Sequence, residues 1–138
     1  MKTEETLTPK KEDIKALRDI LVEYNKKHFE TLDQKEFLIS IKDDNNQLIA
    51  GISGEIFGNW MEVDYLAVEE NFRKDGYGKN LLKQAEELAL KENCKYILIS
   101  TFGFQGKDYY PKFGYKEQMV LRNYPLTGTE HFFIKELV

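Results

Sequence analysis

The sequence predicts a mixed α/β (α+β) fold, a mostly antiparallel sheet with one central parallel βαβ unit. Three observations lead there. Two strand-like runs, Gln47 to Phe57 and Trp60 to Val68, are joined only by Gly58-Asn59, a link short enough to return the chain antiparallel. A polar, glycine-punctuated loop and a helical repeat follow the second run. The near-continuous apolar stretch Tyr96 to Phe102 comes next, so the helix crosses over and the strands on either side of it lie parallel. At 138 residues the chain fits one domain, residues 1–138, with one core.

In chain order, Thr8 is predicted to cap and Pro9 to enter the first turn of a helix whose one face carries Ile14, Leu17, Leu21, Tyr24 and His28. Phe37 to Ile41 is a short β-prone run closed by the turn-forming cluster Asp43-Asp44-Asn45-Asn46. The antiparallel pair follows. Beyond it, Leu81, Leu82, Ala85, Leu88 and Ala89 recur at helical spacing. The last segments read as a short helix near Asp108 to Phe113, a strand from Tyr115 to Leu121, a turn around Pro125 to Gly128, and a strand from His131 to Leu137.

Composition narrows function. Lys+Arg 20 against Asp+Glu 24 gives a net charge of -4, the wrong sign for gripping a nucleic-acid backbone over a broad face, so no nucleic-acid partner is expected. No apolar run approaches the roughly 18 residues of a membrane span, so no membrane partner is expected. One cysteine, Cys94, cannot form an internal disulfide. With only His28 and His131 besides, it cannot complete a zinc site of the usual kind, and no metal is expected. A reducing, cytoplasmic setting suits such a chain. Cys94 reads as a small buried group, and both histidines read as packing or surface residues.

The loop before the second helix carries the clearest chemistry. Arg73-Lys74-Asp75-Gly76-Tyr77-Gly78-Lys79 runs into a helix, where unpaired backbone N–H groups meet the positive end of the helix dipole. Gly76 and Gly78 allow positive φ and close approach of an anion, and Arg73, Lys74 and Lys79 add local positive charge. A diphosphate is the ligand such a loop suits. A Walker A loop would need Gly at Arg73 and Ser or Thr at Asn80, and a dinucleotide fingerprint would need Gly at Leu81, so neither applies. Read alone, the two glycines could equally just turn the chain into its helix.

The wider context resembles the GCN5-related N-acetyltransferases (GNAT). Leu66-Ala67-Val68 matches the strand triplet of that family, and Arg73-Lys74-Asp75-Gly76-Tyr77-Gly78 its R/Q-x-x-G-x-G/A loop. Tyr110-Pro111-Lys112-Phe113-Gly114-Tyr115 matches its Tyr-x-x-x-Gly-Phe segment. The resemblance weakens before Phe37, where Glu5 to Leu7 is the one stretch to set against the family's first strand. It implies that the amides from Lys74 to Lys79 hold the pyrophosphate of acetyl-CoA as cosubstrate, with Arg73 fixing the loop or reaching a phosphate. It further implies that Leu66 to Val68 pair with the pantetheine arm like an added strand. The Leu66 N–H would then stabilise the tetrahedral oxyanion. Many relatives carry Asn where this chain has Gly103, a contact that is either missing here or supplied by Gln105.

The implied activity is acetyl transfer to a primary amine of a small molecule or protein by direct attack in a ternary complex. The rival is a non-catalytic module that only binds coenzyme A. Relatives often dimerise, so a homodimer is allowed. A lysine-like amine of pKa about 10.4 is mostly protonated at pH 7, a deficit of roughly 4 to 5 kcal/mol. Glu62 and Asp64, two apart on the strand leading to the triplet, share a face unless a bulge intervenes. By resemblance Glu62 is the first choice of base, directly or through water, and Tyr110 the acid that protonates the leaving thiolate. Tyr109 is assigned to packing or the pocket wall, while Phe104 and Tyr65 are the better pocket candidates among the remaining aromatics.

Overall fold

The structure, a computed structural model, describes residues 1–138, which divide into two compact units, residues 1–32 and 33–138. In the first unit α1 spans Lys11–Asn25. It starts later than expected. Lys10 is the capping residue, without a side-chain bond, and its carbonyl accepts from the amides of Asp13 and Ile14. The expected Thr8 cap is therefore corrected: Thr8 donates its amide to the Thr6 hydroxyl at 3.0 Å, a local turn that competes with capping, and Pro9 precedes the helix. Glu5 to Leu7 forms no strand. No residue of α1 is buried, and His28 lies beyond its end with its ring 4.9 Å from that of Tyr24.

The second unit holds β1 (Gln34–Lys42), β2 (Leu48–Phe57), β3 (Trp60–Val68), α2 (Tyr77–Lys91), β4 (Tyr96–Phe102), β5 (Lys116–Arg122) and β6 (Thr129–Glu136). The six strands form one sheet in the order β1-β2-β3-β4-β6-β5, antiparallel throughout except for β3 and β4. This is the mixed, mostly antiparallel architecture with a central parallel pair that the sequence predicts. β1 extends beyond Phe37 to Ile41 because Gln34, Lys35 and Glu36 also pair with β2. At a sheet edge such polar residues face water at little cost.

The core lies between one face of the sheet and α2. Ala50, Ile52 and Ile56 of β2, Met61 and Val63 of β3, Ile97 and Ile99 of β4, and Phe133 of β6 are buried against Leu81, Leu82, Ala85 and Ala89. Burying each of the larger aliphatic side chains stabilises by about 1.5–3 kcal/mol. The amphipathic spacing of α2 thus sets its orientation, and with it the direction in which its amino end points.

Two irregularities shape the sheet around the site. The β3–β4 pairing runs only from Trp60↔Tyr96 to Val63↔Ile99, so the strands part beyond that point. On the other side of β3 the register shifts between Ser53 and Gly54, leaving Asp64 as the extra, bulged residue. Gly54 permits this, since a Cβ there would run into the Glu62 carbonyl. Glu62 and Asp64 both stay exposed while Met61 and Val63 are buried, and the alternation slips only beyond Asp64, at Tyr65.

Candidate functional site

Where β3 and β4 separate, Leu66, Ala67 and Val68 keep partners on β2 and have none on β4. Half of the backbone polar groups along that edge therefore face an open cleft, in the manner of an exposed sheet edge. The loop beyond it is pinned back to this edge: Arg73 donates from Nε to the Val68 carbonyl at 2.9 Å. Of the two roles considered for Arg73, the observed bond is the one that fixes the loop.

The chain then enters α2 through Gly76, whose φ of 82° is a left-handed conformation that glycine adopts without strain. A Cβ at Gly76 would meet nothing within 4 Å. Gly78 does not use the positive φ open to it, because it already lies in the first turn of α2. What matters there is space, since a Cβ would stand 3.4 Å from the Tyr109 hydroxyl and 3.8 Å from Val68. The N–H groups from Lys74 to Lys79 close no hydrogen bond within the loop or helix, whereas the Asn80 amide donates to the Gly76 carbonyl. A run of free donors at the positive end of a 15-residue helix, with Lys74 and Lys79 exposed beside it, can hold a diphosphate.

Tyr110 opens the 3-10 turn Tyr110–Phe113, and Pro111 falls in its first positions, where the missing N–H costs nothing. Tyr110 is 7% exposed, its ring 5.4 Å from Tyr109, 5.8 Å from Tyr115 and 5.9 Å from Phe133. Burial, with Tyr109 nearby, pushes its phenol up to about 12, so it stays protonated at neutral pH. The hydroxyl makes no hydrogen bond within the protein. Tyr109 is also raised by burial, and its hydroxyl stands over the first turn of α2. The wall residue of the sequence reading thus lies beside the loop.

The remaining candidates fall as follows. Glu62 is exposed and lines a cavity of about 300 Å³ with Gln34, Glu55 and Trp60, in the paired part of β3 just before the bulge. A larger cavity, about 390 Å³, runs along β1 to β3 with Leu38, Gly51, Ser53, Tyr65, Ala67 and Arg73 among its walls. Gln105 turns back on β4, where Oε1 accepts from the Phe102 amide at 3.2 Å. Phe102 stacks between Phe104 and Tyr124, with ring centroids 5.8 Å apart on both sides. Cys94 is buried, its thiol pushed up by desolvation and then by Glu92, with Sγ 4.0 Å from the Gly58 carbonyl oxygen. That is the inert structural thiol expected. No cluster of His, Cys, Asp and Glu able to hold a metal ion is present, and no helix is long and apolar enough to cross a membrane.

Sequence comparison decides the family. Residues 4–115 match the acetyltransferase (GNAT) family. The chain belongs to it. It is similar to an acetyltransferase of Agrobacterium fabrum, 35% identical over 73% of this chain and 74% of that one. It is also similar to blasticidin-S acetyltransferase of Streptomyces morookaense, 32% identical over 68% and 70%. The crystal structure of an Agrobacterium tumefaciens protein assigned as an acetyltransferase superposes with a TM-score of 0.91 at 30% identity, covering 99% of both chains. An aminoglycoside 6'-N-acetyltransferase complexed with coenzyme A shares the fold, with a TM-score of 0.66 at 16% identity over 100% and 98% of the chains. The chain is an acetyltransferase of the GNAT family, and the splayed β3–β4 edge and glycine loop are to be read in that light.

Sequence reasoning missed one group of polar side chains. Thr101, Thr129, His131 and Glu117 converge at the carboxyl end of β4, and the only signal in the sequence is Thr-x-His at strand spacing.

Proposed function

We propose that this acetyltransferase moves the acetyl group of acetyl-CoA to a primary amine of a small molecule or protein by direct attack in a ternary complex. The observation that carries the reading is the run of unpartnered amides from Lys74 to Lys79 at the end of an unpaired strand edge. These donors suit the diphosphate of coenzyme A, and the open space at Gly76 lets an anion reach them. Leu66, Ala67 and Val68 offer the backbone groups that an extended pantetheine arm would pair with, and the Leu66 N–H would polarise the thioester carbonyl.

Within this reading each site residue has one task. Arg73 holds the loop, while Lys74 and Lys79 supply charge. Asp75, Gly76, Tyr77 and Gly78 contribute amides. Gln105 keeps the end of β4 in shape through its bond to Phe102. Glu62, exposed in a depression it shares with Glu55, draws a cationic amine and takes its ammonium proton, directly or through water. Tyr110 gives its proton to the departing thiolate. Burial keeps that proton in place until the thiolate forms. Cys94 is too buried for a covalent acyl route, which supports direct attack, and a free thiol suits a cytoplasmic setting.

The similarity to blasticidin-S acetyltransferase makes amine-bearing antibiotics a natural part of the acceptor panel. Thiol release from acetyl-CoA across antibiotics, polyamines and peptide amines tests the reading. Turnover of at least one amine, lost in Tyr110→Phe, is the expected result. Binding of acetyl-CoA without turnover of any amine would favour a non-catalytic coenzyme A module instead.

A further inference from the structure

The Tyr109 hydroxyl is a polar group without a partner in the protein. Tyr109 is half-buried, and its ring is held edge-on by Tyr110 at 5.4 Å and by Phe113 at 4.9 Å. No fully buried side-chain nitrogen or oxygen lacks a hydrogen bond, so a hydroxyl that makes none must reach open space. Burial raises the phenol above its ordinary range, so it keeps its hydrogen at neutral pH and can only serve as a neutral donor or acceptor.

Two neighbours fix where that hydroxyl opens. A Cβ at Gly78 would stand 3.4 Å from the hydroxyl oxygen and 3.8 Å from Val68. Since a Cβ lies one bond, about 1.5 Å, from its Cα, the oxygen is within about 5 Å of the Gly78 main chain. Val68 ends the stretch of β3 that has no partner on β4, and the Gly78 amide is one of the donors left free at the amino end of α2. The phenol therefore opens into the corner where the strand edge meets the helix end. It reaches that corner from the far wall of the cleft, because Tyr109 follows β4 whereas the free amides follow β3.

We propose that the Tyr109 hydroxyl is a ligand of the coenzyme A diphosphate, donating to it from the β4 side of the cleft while the amides from Lys74 to Lys79 donate from the other, an inference that rests on the function proposed above. A gap of about 5 Å is one that a phosphate oxygen fills by accepting at about 2.7 Å from an O–H and at about 2.9 Å from an N–H. A phosphate held in this way ties together the two walls of the splayed sheet. The amides, all on one segment, cannot do that alone. The two adjacent tyrosines then serve opposite ends of the cofactor, Tyr109 the diphosphate and Tyr110 the sulfur. Gly78 gains a reason as well, since a side chain there would project into the space between the phenol and the amide. The Tyr109 hydrogen stays on its oxygen throughout the transfer.

Tyr109→Phe keeps the ring and removes only the oxygen, which has no partner in the protein, so the fold should be undisturbed. Three measurements compare it with the wild type: calorimetric Kd for coenzyme A, phosphorus-31 spectra of bound coenzyme A, and thiol release from acetyl-CoA with the fastest amine of the panel above. The first two need no acceptor. Kd is expected to weaken about tenfold, the usual effect of losing a hydrogen bond to a charged group. The KM for acetyl-CoA should rise in step while kcat stays within about twofold, the opposite split from Tyr110→Phe. The diphosphate resonances of the bound cofactor should move relative to the wild-type complex, and that of the ribose-bound phosphate should not. An unchanged Kd, or a weaker one with the diphosphate resonances unmoved, would overturn the assignment and leave the transferase reading intact. So would a fall in kcat at unchanged Kd, which would set the hydroxyl at the thioester instead. A wild type that binds no coenzyme A would overturn both.

Discussion

Replacing Tyr110 by Phe removes one oxygen from a ring that is otherwise packed on three sides, by Tyr109, Tyr115 and Phe133. That hydroxyl has no partner in the protein, so its loss orphans no buried group, and the stability near neutral pH is expected to stay within about 0.5 kcal/mol of wild type. At alkaline pH the two proteins should diverge. The folded phenol titrates at about 12 against an ordinary 10.0. Because the folded value is the higher one, the neutral phenol stabilises the fold fully below pH 10, and this stabilisation is lost as pH rises through 12. Two units correspond to about 3 kcal/mol in full, roughly half of it lost by pH 11, and that loss should be missing from Tyr110→Phe. Tyr115, raised by burial, by Glu86 and, least, by Tyr110 itself, pushes in the same direction in both proteins and cancels in the comparison apart from the part due to Tyr110. In turnover the variant should fall about 100-fold in kcat at unchanged coenzyme A affinity, read by thiol release beside urea unfolding at pH 7 and pH 11. A variant that folds and keeps kcat within about twofold of wild type would refute Tyr110 as the acid.

Gly76→Val places a β-branched residue at a φ of 82°, costing about 1–2 kcal/mol in thermal unfolding, and projects its side chain into the space before the amides. Calorimetry is expected to show at least a tenfold weaker Kd for coenzyme A. Arg73→Gln breaks the 2.9 Å bond that pins the loop to Val68. Arg73 is exposed, so stability should change by less than about 1 kcal/mol, whereas coenzyme A affinity should fall several-fold. Leu81→Ala empties a fully buried position against the sheet and should cost about 2–5 kcal/mol in urea unfolding.

The elements that the sequence discloses most sharply are those whose boundaries coincide with a change in solvent contact. β3 and β4 match their expected limits, Trp60–Val68 and Tyr96–Phe102, since each is an apolar-rich run between turn-forming residues. β1 and β6 start earlier than their apolar residues indicate. Gln34 to Glu36, and Thr129 with Glu130, satisfy their backbones by pairing, which hydropathy does not register. The Thr8 cap failed for a local reason, the competing Thr6 hydroxyl.

In the site, the loop from Arg73 to Lys79 is legible because its chemistry is carried by contiguous residues. The bulge at Asp64 is not, although Gly54, next to the cross-strand pair Glu55–Glu62, is its trace. Least legible is the meeting of Glu117 with His131, 14 residues apart and brought together by a β5–β6 register that itself shifts between Glu117 and Met119. Such a contact depends on where one strand slides against another, which no periodicity in either strand determines.

The central claim is that the main-chain amides from Lys74 to Lys79 grip the diphosphate of coenzyme A. Nitrogen-15 amide spectra recorded while coenzyme A is added to the wild-type protein test it most directly. The account expects saturable shifts concentrated at residues 74–79 and at Leu66 to Val68, following a single binding curve. Saturation with those amides unmoved, and the shifts gathered elsewhere on the sheet, would contradict it.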